Sequence, residues 1–146
     1  MRIVVLHGPN LNALGTREPA VYGRTTLAEI DAMLAREASA HGVDVSCEQH
    51  QGEGEIVSAI HRAAAEGAQG IVINPGAYTH YSYAIADALR CVTIPAVEVH
   101  LSNIHAREEF RNRSVTASAC VGIVAGFGAE SYSVGLQALM TYLKRK

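Results

Sequence analysis

The sequence is poor in lysine, has no tryptophan and contains no long apolar run. Its lysines are Lys144 and Lys146, both in the C-terminal tail. Schiff-base catalysis requires a desolvated lysine in a pocket, so the tail position of both lysines excludes that chemistry. Because no run of about 18 apolar residues occurs, we expect neither a membrane span nor a membrane partner.

The sequence also lacks a strong net charge and closely spaced cysteines. The formal net charge of −2 does not provide the basic surface of a nucleic-acid-binding protein, so we expect no nucleic-acid partner. Cys47, Cys91 and Cys120 are scattered without a CxxC pair, which predicts buried free thiols rather than a metal or redox site. The N-terminus lacks a basic start followed by an apolar segment, so we expect a cytoplasmic protein.

The sequence does contain a regular alternation of two apolar periods. The 146 residues, 49% of them hydrophobic, predict a single domain spanning residues 1–146. Thr26 and Glu29 fit a capping box at the start of the first long helix, and Gly42 fits its end. The alternation predicts an α/β fold with a parallel sheet covered on both faces, and an irregular connection near HAREEF. The strand-like runs are residues 2–6, 43–49, 70–74, 94–101 and 119–126, and the helical patterns are residues 25–42, 54–67, 82–90 and 130–146.

Polar clusters follow the predicted strands. They are HGPNLN, QHQGEG, NPGAYTH, EVHLSN and AGFGAES, in chain order. In open α/β sheets, ligands bind beyond the carboxyl ends of the strands. The convergence of these clusters on one edge therefore predicts a functional site there.

The first of these clusters opens a long polar segment, HGPNLNALGTREPAVYG, residues 7–23. Its glycines and prolines predict a loop without helix. Tyr22 in this loop is either a tyrosine packed on the surface or a general base. The second reading requires a cation that stabilises the phenolate, and Arg17 on the same loop is a candidate.

Glu98 and His100 alternate along the fourth predicted strand, so both side chains lie on one face. A carboxylate beside an imidazole orients the ring and favours its protonated form. His100 is therefore either a structural histidine or a group that donates a proton to a leaving group.

Further hydrogen-bonding and basic residues lie on neighbouring strand ends. The amide, imidazole and hydroxyl groups are those of Asn74, His80 and Ser102, although NPG is also a turn signal. The arginines after the fourth strand form either a solvated face or a clamp for a carboxylate. They are Arg107, Arg111 and Arg113. The sequence lacks HExxH, GxGxxG and the P-loop signature, so we predict neither a metal site nor a nucleotide site.

Three motifs together carry a family resemblance: GPNLNxLGxREPxxYG, NPGAYTHxS and EVHxSNxHAREEFR. They resemble type II 3-dehydroquinate dehydratase, in order and at the expected spacing, from Ile3 to the closing helix. The resemblance implies a flavodoxin-like, doubly wound five-stranded parallel sheet with strand order 2-1-3-4-5. It implies a homo-dodecamer built as a tetramer of trimers. The implied reaction is reversible anti elimination of water from 3-dehydroquinate through an enolate to give 3-dehydroshikimate, without cofactor, in the shikimate pathway or in quinate breakdown.

The resemblance also implies catalytic roles for individual residues. Tyr22 removes the proton beside the ketone, and Arg17 keeps Tyr22 ionised. Asn10 supports the enolate, and His100 protonates the departing hydroxyl with Glu98 behind it.

Substrate-binding roles are implied in the same way. Arg111 contacts a substrate hydroxyl, and Asp87 reaches the site from a neighbouring subunit. The implied contacts to ring hydroxyls and carboxylate come from Asn74, His80, Ser102 and the backbone of Leu101. The loop that carries Tyr22 is expected to act as a lid that closes over substrate.

The chain departs from the family pattern at His50, Tyr81, Tyr83 and Ser131. None of these residues replaces a catalytic group, but they bear on the pocket wall and the trimer contacts. Two alternatives remain at this point: a non-catalytic binding module for a small polyol acid, and a related lyase acting on another cyclic hydroxy-ketone. The complete set of Tyr22, Arg17 and His100 favours a dehydratase, because a binding module does not need it.

Overall fold

The computed structural model describes residues 1–145; Lys146 of the predicted closing helix lies outside them. Its strands form one parallel sheet in the order β2-β1-β3-β4-β5, which confirms the predicted flavodoxin-like topology. The strands are β1 (Arg2–His7), β2 (Asp44–Gln49), β3 (Gly70–Asn74), β4 (Ala96–His100) and β5 (Gly122–Ala125). The α-helices are α1 (Pro19–Tyr22), α2 (Leu27–Ala40), α3 (Glu53–Ala65), α4 (Tyr83–Cys91) and α5 (Glu130–Lys144).

Strand alternation divides the core into two layers. In β1, Ile3 and Val5 pack against α2 and α5, whereas Val4 and Leu6 pack against α3 and α4. All four side chains are buried, as expected for a central strand covered on both faces. The face on which a strand-end residue lies therefore decides which helix pair it contacts.

The predicted signals at both ends of α2 are confirmed. The Thr26 hydroxyl accepts the Glu29 backbone N–H at 3.2 Å, and the Glu29 carboxylate accepts the Thr26 N–H at 2.8 Å. After the helix, Gly42 has a φ of +66°, a conformation that glycine adopts without a steric penalty. This capping fixes the point at which the chain leaves the predicted lid and enters a rigid element.

The prediction that residues 7–23 form no helix is wrong. Residues Leu11–Ala13 form a 3₁₀ turn, and Pro19–Tyr22 form the short helix α1. Pro19 occupies the first turn, where its fixed φ suits a helix and its missing N–H costs nothing. Gly23 ends the helix with a φ of +78°. Pro19 and Gly23, which we interpreted as helix breakers, begin and end this single helical turn.

Two smaller predictions also need correction. The fifth strand begins at Gly122 rather than at residue 119, because Ala117–Ala119 form a 3₁₀ turn. Cys91 is exposed at the end of α4, so the prediction of buried thiols is wrong there. Cys120 is half-buried, and burial raises the pKa of its thiol to about 12. None of the helices within residues 1–145 is long and apolar enough to cross a bilayer.

Candidate active site

A cleft lies beyond the carboxyl ends of β1, β3 and β4, where the strand-end argument predicted a site. Glycine at position 8 is needed there, because a Cβ atom would lie 2.6 Å from the carbonyl carbon of Pro75. This close approach holds the segment after β1 against the segment after β3. The cleft is lined by most of the predicted site residues: Asn10, Arg17, Tyr22, Asn74, His80, His100, Leu101, Ser102 and Arg111.

Tyr22 enters the cleft from the last position of α1. The guanidinium carbon of Arg17 lies 4.7 Å from the centre of the Tyr22 ring. Arg107 contacts the hydroxyl itself, because its Nη1 donates a hydrogen bond to the Tyr22 oxygen at 2.8 Å. The predicted pairing of Arg17 with Tyr22 therefore exists as a cation over the ring. The contact to the oxygen belongs to Arg107.

Arg107 was not among the predicted site residues. It was one of three arginines for which the sequence left a solvated face and an inward clamp open. Its side chain is only 13% exposed, and it lines the cleft. The signal that pointed to it was the basic run in the irregular connection after β4, which alone does not identify the arginine that points inward.

His100 and Glu98 lie on the same face of β4, as predicted, with His100 Nε2 2.6 Å from Glu98 Oε1. The Glu98 side chain is fully buried and also accepts hydrogen bonds from Thr79, from Ser114 at 3.1 Å and from Thr116 at 2.7 Å. Burial by itself raises the pKa of this carboxyl, but the bonds from His100, Thr79 and Thr116 outweigh burial and lower it below its usual value. The ionised carboxylate holds the imidazole by Nε2 and leaves Nδ1 as the ring nitrogen available to the cleft.

His80, unlike His100, is placed to accept a hydrogen bond from a ligand. Its Nδ1 lies 2.7 Å from the carbonyl oxygen of Arg113, which only accepts, so Nδ1 carries the proton. Burial lowers the pKa of His80, and the neighbouring Arg111 and His100 lower it further. The ring is therefore neutral at neutral pH, and Nε2 is an acceptor for a ligand hydroxyl.

Two asparagines lie at the ends of β1 and β3. Asn74 is buried, and its side-chain oxygen accepts the Gly76 N–H at 3.1 Å. Asn10 adopts a left-handed conformation, with φ +66°, and its backbone N–H donates to the Gln51 side chain at 2.8 Å. Asparagine tolerates the left-handed region of backbone conformation better than most residues, which explains its place in the turn at this edge of the cleft.

Asp87 does not reach the cleft of its own chain. It lies on the outer face of α4 with its side chain 75% exposed, 3.3 Å from Arg90. The predicted contribution to a neighbouring site remains a prediction. The residues that depart from the family pattern also lie outside the cleft lining: His50 pairs with Glu48 at 2.9 Å, and Tyr81 and Tyr83 are exposed.

The chain was compared with known families, proteins and structures. A family described as "Dehydroquinase class II" matches residues 1–140. The 3-dehydroquinate dehydratase of Carboxydothermus hydrogenoformans is 58% identical over 146 residues, covering 100% of this chain and 94% of that protein. The enzyme of the same name from Clostridium perfringens is 52% identical, with 100% of both chains covered.

A solved structure of the same family also matches this chain. The type II dehydroquinase from Butyrivibrio crossotus superimposes with a TM-score of 0.94 at 45% identity, over 96% of this chain and 97% of that one. The matches extend over nearly the whole sequence, including all three motifs. The chain therefore belongs to the class II dehydroquinase family.

Proposed function

We propose that the chain is a 3-dehydroquinate dehydratase that eliminates water without a Schiff base, as its family does in the shikimate pathway. The observation that carries this proposal is the convergence of two reactive groups in one cleft of a family member. Tyr22 and Arg17 approach from the lid, Arg107 contacts Tyr22 from the connection between β4 and β5, and the His100–Glu98 pair approaches from β4. The sole described lysine, Lys144, is not part of the cleft lining.

The first step breaks a C–H bond beside the ketone. We assign the base to Tyr22 as its phenolate, since a phenolate accepts a proton and the two guanidinium groups stabilise its charge. A charge-assisted hydrogen bond such as that from Arg107 is worth about 1.5–3 kcal/mol. The electron pair of the broken bond forms an enolate, for which Asn10 is the polar group at the edge of the cleft.

The second step breaks a C–O bond. His100 gives its Nδ1 proton to the departing hydroxyl, which leaves as water, and the enolate electrons form the new double bond. Glu98 stabilises the imidazolium that precedes this transfer and orients the ring. Base and acid come from different elements, the lid and β4, as an elimination from two sides of a ring requires.

Binding of the substrate depends on groups of matching polarity. Neutral His80 offers an acceptor to a ring hydroxyl, while Asn74, Ser102 and the Leu101 backbone offer donors. Arg111 adds a cation that pairs with Glu108 at 2.7 Å and remains available at the cleft wall. We assign these residues to the ring hydroxyls and carboxylate of 3-dehydroquinate.

We also propose that this single domain assembles as a dodecamer of four trimers in the cytoplasm. Large apolar side chains are exposed near the edge strand β5, at Val121, Ile123, Phe127 and Val134, and all of these except Phe127 line one surface depression. Monomers rarely leave such a contiguous patch open, which supports contact with further copies. Three free thiols fit a reducing compartment.

The test is direct. Purified protein is mixed with 3-dehydroquinate, and the conjugated enone of the product is followed by ultraviolet absorbance. We expect turnover, and a loss of at least about 100-fold in kcat for Tyr22→Phe, because only the base is removed while the ring packing is retained. Tyr83→Phe, at an exposed tyrosine outside the cleft lining, is the matched control. Absence of product at high enzyme concentration would overturn the assignment.

A further inference from the structure

A second histidine–carboxylate pair lies on the opposite face of the sheet and has no part in the mechanism above. His7 ends β1 and is 1% exposed. Its Nε2 lies 2.8 Å from the Asp31 carboxylate on α2, and its Nδ1 lies 2.7 Å from the Tyr132 hydroxyl on α5. Tyr132 is itself fully buried. Three elements thus meet through one imidazole.

The chain of contacts continues into the cleft. Asn74 is the register partner of His7 in the β1–β3 pairing, so the two side chains share a face of the sheet. Among the groups that act on the pKa of Tyr132, burial has the largest effect and raises it, whereas a side-chain hydrogen bond with Asn74 lowers it. Burial nevertheless raises the pKa of Tyr132 far above its usual value, so the hydroxyl keeps its proton and remains a donor.

The direction of each hydrogen bond follows from the groups at the two ends of this hydrogen-bonded series. The Asp31 carboxylate only accepts, so Nε2 of His7 carries the proton and Nδ1 accepts from Tyr132. The Tyr132 oxygen is then left to accept an N–H from the Asn74 amide. The Asn74 oxygen is already occupied by the Gly76 N–H at 3.1 Å, which agrees with this orientation. The second amide N–H of Asn74 remains for the cleft.

We propose that Asp31, His7 and Tyr132 form a positioning relay that fixes the orientation of the Asn74 amide, so that an N–H and not the oxygen faces the substrate. The proposal rests on the proposed function, in which Asn74 binds substrate. It makes a residue on α2, immediately after the lid, a determinant of binding in the cleft.

Cys47 completes the surroundings of Asp31. Ligand atoms of His7, Asp31 and Cys47 lie within 4.8 Å of one another, a spacing that a metal ion also uses. Burial and the neighbouring Asp31 raise the pKa of the Cys47 thiol well above its usual range. Both ring nitrogens of His7 are already bonded, one to Asp31 and one to Tyr132, which favours a relay over a metal site.

The decisive variant is Asp31→Asn, which keeps the shape of the side chain. Asparagine can donate to His7 Nε2, which moves the ring proton to Nδ1 and reverses the relay. Tyr132 then donates toward an Asn74 oxygen that Gly76 already occupies, and the amide loses its fixed orientation. We expect KM for 3-dehydroquinate to rise about 10-fold, the effect of one lost hydrogen bond with an unsatisfied partner, while kcat changes by less than about 2-fold.

The chain offers a matched control in Glu37→Gln. Glu37 lies on the same helix, and its carboxylate accepts from the Ser133 hydroxyl on α5 at 2.8 Å, so it also ties α2 to α5 but has no path to the cleft. We expect its KM to equal that of the wild type. Equal KM changes in Asp31→Asn and Glu37→Gln would mean loosened helix packing and would overturn the relay.

A second variant tests the path itself. Tyr132→Phe keeps the ring in the core but removes the hydroxyl, so adding Asp31→Asn to it should raise KM no further. Additive effects of the two changes would overturn the relay. Calorimetric binding of 3-dehydroquinate to the Tyr22→Phe forms of each variant gives a readout that does not depend on turnover. A wild type that binds but never turns over would overturn the dehydratase assignment, while a 10-fold weaker Kd for Asp31→Asn would still support the relay.

Discussion

Of the histidine–carboxylate pairs at the carboxyl edge of this sheet, His100–Glu98 and His7–Asp31 each contain a buried histidine, and they differ in what surrounds them. Glu98 beside His100 is fully buried and is held by three hydroxyl groups, whereas the Asp31 side chain beside His7 is 38% exposed. The nitrogen-to-oxygen distances are similar, 2.6 Å for the first pair and 2.8 Å for the second. The pair itself therefore does not decide the role of the histidine.

The second ring nitrogen does decide it. His100 leaves Nδ1 for the cleft, where a proton can reach a substrate, whereas His7 spends Nδ1 on the Tyr132 hydroxyl. One histidine is placed to act on substrate and the other on a neighbouring side chain. The four predictions below test this difference, from the largest expected effect to the smallest.

The largest effect is expected when each histidine is replaced by asparagine. His100→Asn removes the proposed acid, and we expect kcat to fall about 1,000-fold, within the usual range for loss of a general acid. His7→Asn leaves the reacting groups in place, so we expect kcat to stay within about 10-fold and KM to rise. Steady-state kinetics of both variants, with thermal melts to check folding, give the comparison. Similar losses of kcat would remove the distinction between the pairs.

The buried carboxylate should dominate the dependence of stability on pH. Because the pKa of Glu98 is lowered in the fold, its stabilisation is present above the ordinary value of 4.5 and is lost as the pH falls through the lower, folded value. We expect Glu98→Gln to cost about 3 kcal/mol of unfolding free energy at neutral pH. Urea denaturation should show this difference shrinking below pH 4.5. A difference that stays constant on acidification would contradict the prediction.

The partner of Tyr22, the proposed base, is a cation, whereas the partner of His100 is a carboxylate. Arg107→Met removes the hydrogen bond to the Tyr22 oxygen while keeping much of the side-chain volume, and we expect kcat to fall about 10- to 100-fold. Arg36→Met, an exposed arginine on α2, is the control and should match the wild type. If Arg17→Met lowers kcat strongly and Arg107→Met does not, the cation over the ring is the important one.

The smallest change, as a fraction of wild-type activity, is expected from a test of whether Asp87 of another chain completes the site that contains His100. His100→Asn and Asp87→Asn chains, each nearly inactive alone, are refolded together in equal amounts. If Asp87 serves a neighbour, a site is intact when its own chain carries Asp87→Asn and its neighbour carries His100→Asn, about one site in four in a cyclic trimer. Recovery of about a quarter of wild-type activity supports a shared site. No recovery from proven mixed oligomers would place Asp87 within its own chain's function or in a structural role.

The sequence was sufficient wherever a property depends on local order. The two apolar periods determined the five strands and the long helices, since burial of one face imposes period 2 or 3.6. The alternation in EVH placed Glu98 and His100 on one face. The motif around Tyr22 and Arg17 put the proposed base and a cation on one segment. Local signals failed at Pro19 and Gly23, where the proline and glycine rule was misapplied, at the start of the fifth strand, and at the exposed Cys91.

The tertiary structure alone decided the contacts between distant segments. Arg107 reaches the Tyr22 oxygen across 85 positions of sequence, and Tyr132 reaches His7 across 125. No periodicity encodes such a pair, because the approach depends on how the lid, the β4–β5 connection and α5 fold over the same edge. The sequence by itself determined which reactive groups this protein has. The packing of the sheet edge decided that both ring nitrogens of His7 are bonded while His100 leaves Nδ1 to the cleft, and that Arg107 contacts the Tyr22 hydroxyl, because hydrogen bonds depend on angle and distance in space.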